Sequence, residues 1–337
     1  MKKHLMFFCA FLFLNVFARN EQKFGSIGDL KLENGKTLID CKVGYMTFGK
    51  PNKDTSNVVI FPAWFGGTAG QIKGLLGENK LIDSTKYFVI TLDALANGVS
   101  SSPSNSVEQS GKNYPNISMC DMVNSQYILL TKILHIKKVF AVIGGSMGSM
   151  QTFEWIVAYP DFMQKAIPYV CTPRVTPSDL LTWNIRKEIV ESYIELNADE
   201  KQIQRLTGML TSLLARTFDY LNENIKDDEF EKYMTKFNSE PNKIFTSENS
   251  LYQLNAMINH NIFRNFNNSM EETAKVVKAK VMMIISETDM LVNPKTSLEF
   301  APLINAKVLK LQNNCGHLAV GCELEKCGKE IESFLNE

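Results

Sequence analysis

The chain has 337 residues, 45% of them hydrophobic, and its 36 Lys and Arg balance 36 Asp and Glu. That length and apolar share suffice for one large core or two modest ones and exclude a disordered chain. The balanced charge, with no long block of one sign, excludes the electrostatic footprint of a nucleic-acid binder and fits a small-molecule partner.

Residues 1–18 carry two early lysines, an apolar run over 5–17 and the small residues Val16 and Ala18. This pattern predicts a cleaved secretory leader, and so a secreted or periplasmic protein. The run is short for a bilayer span of roughly 20 residues, and polar Asn20, Glu21 and Gln22 follow it, so no stable membrane anchor is expected. Cleavage would remove Cys9 and leave Cys41, Cys120, Cys171, Cys315, Cys322 and Cys327 in a compartment that permits disulfides. No Cys-x-x-Cys or His-x-x-x-His spacing occurs, so no metal site is expected.

From 24 to 49 the pattern alternates, and Asn34-Gly35 marks a hairpin between strands over 29–32 and 37–47. Short runs rich in β-branched and aromatic residues follow at 57–64, 86–92, 138–144 and 166–171, separated by stretches that hold helices, such as 121–135 and 147–159. Apolar strands alternating with helices predict an α/β fold with a mostly parallel sheet buried on both faces. Between 175 and 270 the periodicity turns helical, over 180–196, 201–221 and 230–237, with no convincing strand. Strands at 280–286 and 307–311 and an amphipathic helix at 323–335 close the chain. The expected organisation is a leader over 1–18, one core in two parts, 19–174 and 271–337, and a helical cap over 175–270 inserted before the last strands.

Gly144-Gly145-Ser146-Met147-Gly148 fits Gly-x-Ser-x-Gly where a strand should turn into a helix, the setting of a nucleophile elbow. Glycines on either side let strand and helix approach while the serine Oγ points out of the sheet. The helix N-terminus would lend its dipole and free amides to a developing oxyanion, with the Met147 N–H as donor. A serine hydroxyl needs a base, usually an imidazole oriented by a carboxylate. His135 precedes a strand at the edge opposite the catalytic loops and His260 lies in the helical insert, whereas His317 follows the last strand and is the expected base. Asp289, just past the run 281–285, is the expected carboxylate, with Glu287 its rival and a helix-capping role for Asp289 the bland alternative. The loop after the 58–60 strand should supply a second oxyanion donor, the Trp64 amide, within a residue of register. Gly-x-Gly-x-x-Gly and the Walker ending are both absent, so no nucleotide cofactor is expected. Cys315 reads as packing or as half of a disulfide with Cys322 or Cys327, and Ser100, Ser101 and Ser102 read as turn chemistry beside the site.

The order serine, aspartate, histidine resembles that of α/β hydrolases. The stretch from Gly144 through Gln151, Glu154 and Trp155 to Pro160 and Asp161 is similar to the elbow region of the homoserine O-acetyltransferase family. Phe65-Gly66-Gly67-Thr68, Asp289 and His317 extend the likeness, and the stretch from Asn97 to Asn105 is closer to hydrolase-like members. The resemblance implies an α/β-hydrolase fold and an acyl-enzyme on Ser146, with an acyl ester or thioester as substrate. It also implies that Arg186, near the place of an arginine in the first cap helix of the family, helps bind an amino-acid acceptor. Family members that use homoserine typically carry Asp after the catalytic histidine, where this chain has Leu318. Together with the leader, that difference favours hydrolysis of a small acyl ester over acetyl transfer from acetyl-CoA to an amino-acid hydroxyl. A non-catalytic binding protein on the same fold is the remaining alternative, and a homodimer is left open.

Overall fold

The computed structural model describes residues 21–337, so the proposed leader over 1–18 lies outside the described residues. One eight-stranded sheet organises the chain, in the order β1-β2-β4-β3-β5-β6-β7-β8. It begins with the hairpin β1 (Lys23–Lys31) and β2 (Thr37–Phe48), paired antiparallel with Leu30 opposite Leu38. Gly35 turns the chain with φ 81°, a conformation that suits the absent Cβ. β1 starts earlier than the alternation suggests, because register shifts at Gly28 break the period of two on which the sequence reading relied.

β2 joins the core antiparallel to β4 (Phe88–Leu92), and from there the sheet is parallel through β3 (Val58–Pro62), β5 (Val139–Gly145), β6 (Met163–Tyr169), β7 (Lys280–Ser286) and β8 (Lys307–Leu311). β3 and residues 281–285 of β7 read as unbroken apolar runs because successive side chains enter different cores. In β7, Val281, Met283 and Ile285 join one cluster, with Phe153 and Trp155, while Met282 and Ile284 join the other, with Ile331 and Phe334. β6 begins three residues before the expected 166, hidden in the sequence by Gln164 and Lys165. Lys165 is buried and donates to the Phe334 and Leu335 carbonyls at the end of the C-terminal helix, so its ammonium is solvated by helix-end oxygens at the negative end of the helix dipole.

Helix α1 (Met119–Ile128) is opened by a Ser118–Asp121 capping box and runs into a π turn over Leu129–Ile133. Helix α2 (Met147–Ala158) follows β5 directly. Between β6 and β7 lie only helices among the described elements: α3 (Pro177–Glu195), α4 (Glu200–Leu214), α5 (Phe218–Asn224), α6 (Phe230–Thr235), α7 (Ser247–Ile258) and α8 (Met270–Ala274). Thr176, Asp199, Thr217, Thr246 and Ser269 cap five of them by accepting a backbone N–H. α3 packs against α4 and α7. Three short or C-terminal helices complete the chain: α9 (Lys295–Phe300), α10 (Ala319–Cys322) and α11 (Leu324–Asn336).

The sheet order sets the site. β3 is followed by β4 on one side and β5 on the other, so the loops leaving β3 and β5 diverge and open a crevice at their carboxyl ends. The Trp64 loop and Ser146 both lie there.

Candidate active site

Ser146 occupies the turn between β5 and α2 with φ 55° and ψ −127°, a backbone conformation that a side-chain-bearing residue rarely adopts. Its own N–H donates to the Tyr169 carbonyl at 3.1 Å, and its carbonyl accepts from Ser149 N at 2.8 Å. A Cβ on Gly144 would lie 2.3 Å from the Gly148 carbonyl oxygen, so only glycine permits the crossing of strand and helix that projects the serine.

The His317 ring reaches the serine from the loop after β8, with Nε2 2.9 Å from Ser146 Oγ and Nδ1 2.7 Å from Asp289 Oδ2. Asp289 follows β7, and its other oxygen accepts the Leu291 and Val292 amides at 2.9 Å each. The carboxylate therefore holds its own loop and orients the imidazole at once; it caps no helix, since α9 begins at Lys295 after Pro294. Glu287 points away to the surface, paired with Lys310 at 2.8 Å. His135 is exposed, and His260 is buried beside Glu154 and the Thr172 carbonyl; neither meets the serine.

The His317 loop is braced from several directions. Ser286 Oγ donates to the Gly316 carbonyl at 2.7 Å, Thr217 Oγ1 to the Asn314 carbonyl at 2.7 Å, and Thr288 Oγ1 to the Asn313 carbonyl at 2.8 Å. Cys315 is bonded to Cys322, which selects between its two candidate partners and encloses His317 in a short covalent loop. Cys41, Cys120, Cys171 and Cys327 are free thiols.

Across the crevice, the loop after β3 is held by partners that sequence reading did not foresee. Gly66 N–H donates to Gln253 Oε1 at 2.9 Å, and Ala69 N–H to Asp93 Oδ1 at 2.8 Å. Asn97 Nδ2 binds both Asp93 Oδ1 and the Gly67 carbonyl. Burial raises the Asp93 carboxyl above its ordinary value, against hydrogen bonds from Ala69, Asn97 and Gln22 that lower it. These contacts join residues far apart in sequence, and single polar residues give no periodic signal. Ser102 makes the local turn bonds expected of it, to Gly98 N–H and the Ser100 carbonyl, whereas Ser100 and Ser101 also accept the Gly44 and Lys42 amides and so tie this turn to β2. No backbone hydrogen bond among the described residues takes the Trp64 or Met147 amide.

Arg186, in α3, is half-buried and lays its guanidinium over the Phe65 ring, 5.0 Å from the centroid. Its Nη1 donates to the Thr207 carbonyl at 3.2 Å and to Thr211 Oγ1, while Nε is sealed from solvent without a partner. Burial pulls its pKa down to about 10, so it stays cationic at neutral pH. Among the described residues no carboxylate pairs with it. No group of three or more His, Cys, Asp and Glu side chains there is placed to hold a metal ion.

A strained serine at a strand-to-helix turn, bonded to a histidine that is bonded to an aspartate, on a mostly parallel sheet, defines the fold class of serine-nucleophile α/β enzymes. The chain belongs to the α/β-hydrolase fold family, whose model matches residues 57–321. It is similar to a probable esterase of Corynebacterium glutamicum, 38% identical over 178 residues, covering 52% of this chain and 51% of that protein. An ethyl acetate hydrolase of Pseudomonas veronii is 36% identical over 49% of this chain and 48% of its own length. The chain thus spans about half the length of these two esterases in the aligned region. A homoserine O-acetyltransferase of Methanococcus vannielii is 28% identical over 92% of this chain and 71% of its own. Among solved structures, an acetylester hydrolase from Corynebacterium glutamicum superposes with a TM-score of 0.85 at 25% identity, covering 94% of this chain and 96% of that one.

Proposed function

We propose that the protein hydrolyses a small acyl ester through Ser146, His317 and Asp289. The observation that carries the reading is the continuous hydrogen-bond chain from Ser146 Oγ through both ring nitrogens of His317 to Asp289. Ser146 Oγ attacks the ester carbonyl carbon as His317 Nε2 takes its proton, and Asp289 stabilises the resulting imidazolium. The carbonyl oxygen becomes an oxyanion received by the Trp64 and Met147 amides, at the open end of α2 where the helix dipole favours negative charge. The ester C–O bond then breaks, His317 returns the proton to the leaving alkoxide, and an alcohol departs. Water attacks the acyl-serine by the same route and releases the acid.

Esterases among the relatives support hydrolysis, and Leu318, where family members using homoserine carry Asp, points the same way. One observation favours a second reading, acyl transfer to an acceptor hydroxyl: the Arg186 guanidinium above Phe65, held by Thr207 and Thr211 and paired with no carboxylate among the described residues, suited to the carboxylate of an amino-acid acceptor. The apolar segment 5–17 supports export, which would keep the enzyme from cytosolic thioesters. The deciding experiment measures ester cleavage, and thiol release from acetyl-CoA with and without homoserine, for the wild type and Ser146→Ala. Hydrolysis predicts ester cleavage lost in Ser146→Ala and no homoserine effect; homoserine-stimulated thiol release would replace it with the transferase, and cleavage surviving Ser146→Ala would refute the triad.

A further inference from the structure

Beneath the oxyanion loop runs a buried chain of side-chain amides that the reaction as described does not use. Trp155 Nε1 donates to Gln126 Oε1 at 3.0 Å, and Gln126 Nε2 donates to Gln151 Oε1 at 2.6 Å. Gln151 Nε2 donates in turn to the Ala63 carbonyl at 3.0 Å and the Met147 carbonyl at 3.3 Å. Trp155, Gln126 and Gln151 are fully buried. An indole N–H can only donate, so it fixes the oxygen of Gln126 toward itself, hence its NH2 toward Gln151, hence the NH2 of Gln151 toward Ala63. The polarity of the whole chain is set at one end and delivered at the other.

What it delivers to is one half of a catalytic peptide. The Ala63 C=O and the Trp64 N–H belong to the same planar trans unit and point in opposite directions. A donor gripping the oxygen fixes the plane, aims the N–H away from the helix, and polarises it toward stronger donation. The grip is possible because α2 runs against the end of β3: a Cβ on Gly148 would lie 2.5 Å from the Pro62 carbonyl oxygen, and Gln151 follows less than one turn later.

We infer that Gln151 is a positioning residue that orients the Ala63–Trp64 peptide for oxyanion binding, with Gln126 and Trp155 setting its polarity. The inference rests on the oxyanion role proposed for the Trp64 amide. Gln151→Met keeps the side-chain length and removes the donor. It is expected to lower kcat by about 10- to 100-fold with KM within about twofold. Affinity for a trifluoromethyl ketone, which forms a tetrahedral oxyanion on the serine, should fall in proportion to kcat/KM, as loss of transition-state binding alone requires.

Gln126→Glu supplies a second signature. As a neutral acid the new side chain still donates to Gln151; ionised, it only accepts, and Gln151 must turn its oxygen to face the Ala63 carbonyl. Burial raises the new carboxyl above the usual value of about 4.3, so the ratio of variant to wild-type kcat should fall as pH climbs through that raised value. The ratio cancels any pH dependence common to both enzymes. A folded Gln151→Met enzyme with wild-type kcat and inhibitor affinity, or a ratio flat with pH, overturns the relay. If either occurs while Ser146→Ala is inactive, the relay alone fails; if Ser146→Ala is active, the triad reading fails first.

Discussion

A partly desolvated cation without an anion is costly, and half-buried Arg186 keeps one beside the proposed oxyanion loop, its Nε sealed and unpartnered and its pKa drawn down to about 10 by burial. Such a group is retained where a ligand supplies the missing charge. Arg186→Met should therefore have two opposed effects. For an ester bearing a carboxylate, KM should rise by about 10- to 100-fold, the worth of a charge-assisted hydrogen bond, while a neutral ester of the same acyl group keeps its KM. In the absence of ligand the variant should be more stable by about 1 kcal/mol in urea, since methionine fills the same space without a desolvated charge. Equal KM changes for the two esters would remove Arg186 from substrate recognition. At Asp289 the expectation is sharper. Asp289→Asn leaves the loop amides one oxygen to bind but presents the wrong partner to His317 Nδ1, and kcat should fall by about 10³- to 10⁴-fold with the fold retained by circular dichroism.

At the scale of elements, the loop that carries His317 is the part least supported by the sheet. It leaves β8, an edge strand paired only with β7, and depends on hydrogen bonds from Ser286, Thr288 and Thr217 and on the Cys315–Cys322 bond. Closing a loop across a sequence separation of seven residues contributes about 2 to 3 kcal/mol by the chain-entropy account. Cys315→Ser with Cys322→Ser should lower stability by that amount and reduce kcat several-fold with little change in KM, because the imidazole loses its fixed approach to Ser146 Oγ. Stopped-flow burst amplitudes and urea titrations would measure the two effects; an unchanged kcat would make the bond purely structural. The same loop marks how far the sequence could be read. Ser146, Asp289 and His317 were legible because each follows an apolar strand, and the period of a strand shows in its residues. Gln253, Asp93, Asn97 and Gln151 were not, because single polar residues carry no period and their partners, backbone atoms and one another's side chains, are brought near only by packing. β6 was misplaced by Lys165, whose burial is explained only by the carbonyls that end α11.

On the scale of the whole molecule, Arg264 ties three distant regions together. It pairs with Glu154 of α2 at 2.6 Å and with Glu33, between β1 and β2, at 2.8 Å, from the segment that follows α7. Neither partner could have been chosen from the sequence, which shows three isolated charges. Burial works against the charge of Glu154, but His260 and Arg264 outweigh it and hold its carboxyl below the usual range. Its folded-state pKa thus lies below the unfolded value of about 4.3, so its contribution to stability is present above that pH and lost as pH falls through the lower folded value. Glu154→Gln should cost about 3 kcal/mol at pH 7, where it leaves the guanidinium with Glu33 as its one carboxylate partner, and progressively less below about pH 4.3, where the unfolded chain's carboxyl takes up the proton that the folded one resists. Asp93, Asp121 and Asp179, whose carboxyls burial raises, oppose this trend in both proteins and cancel in the difference. Urea unfolding of the two proteins at pH 7 and pH 3.5 isolates the pair: a stability gap that narrows on acidification identifies Glu154 as a charged clamp on the nucleophile helix, and a gap independent of pH would mean that the side chain acts through its shape alone.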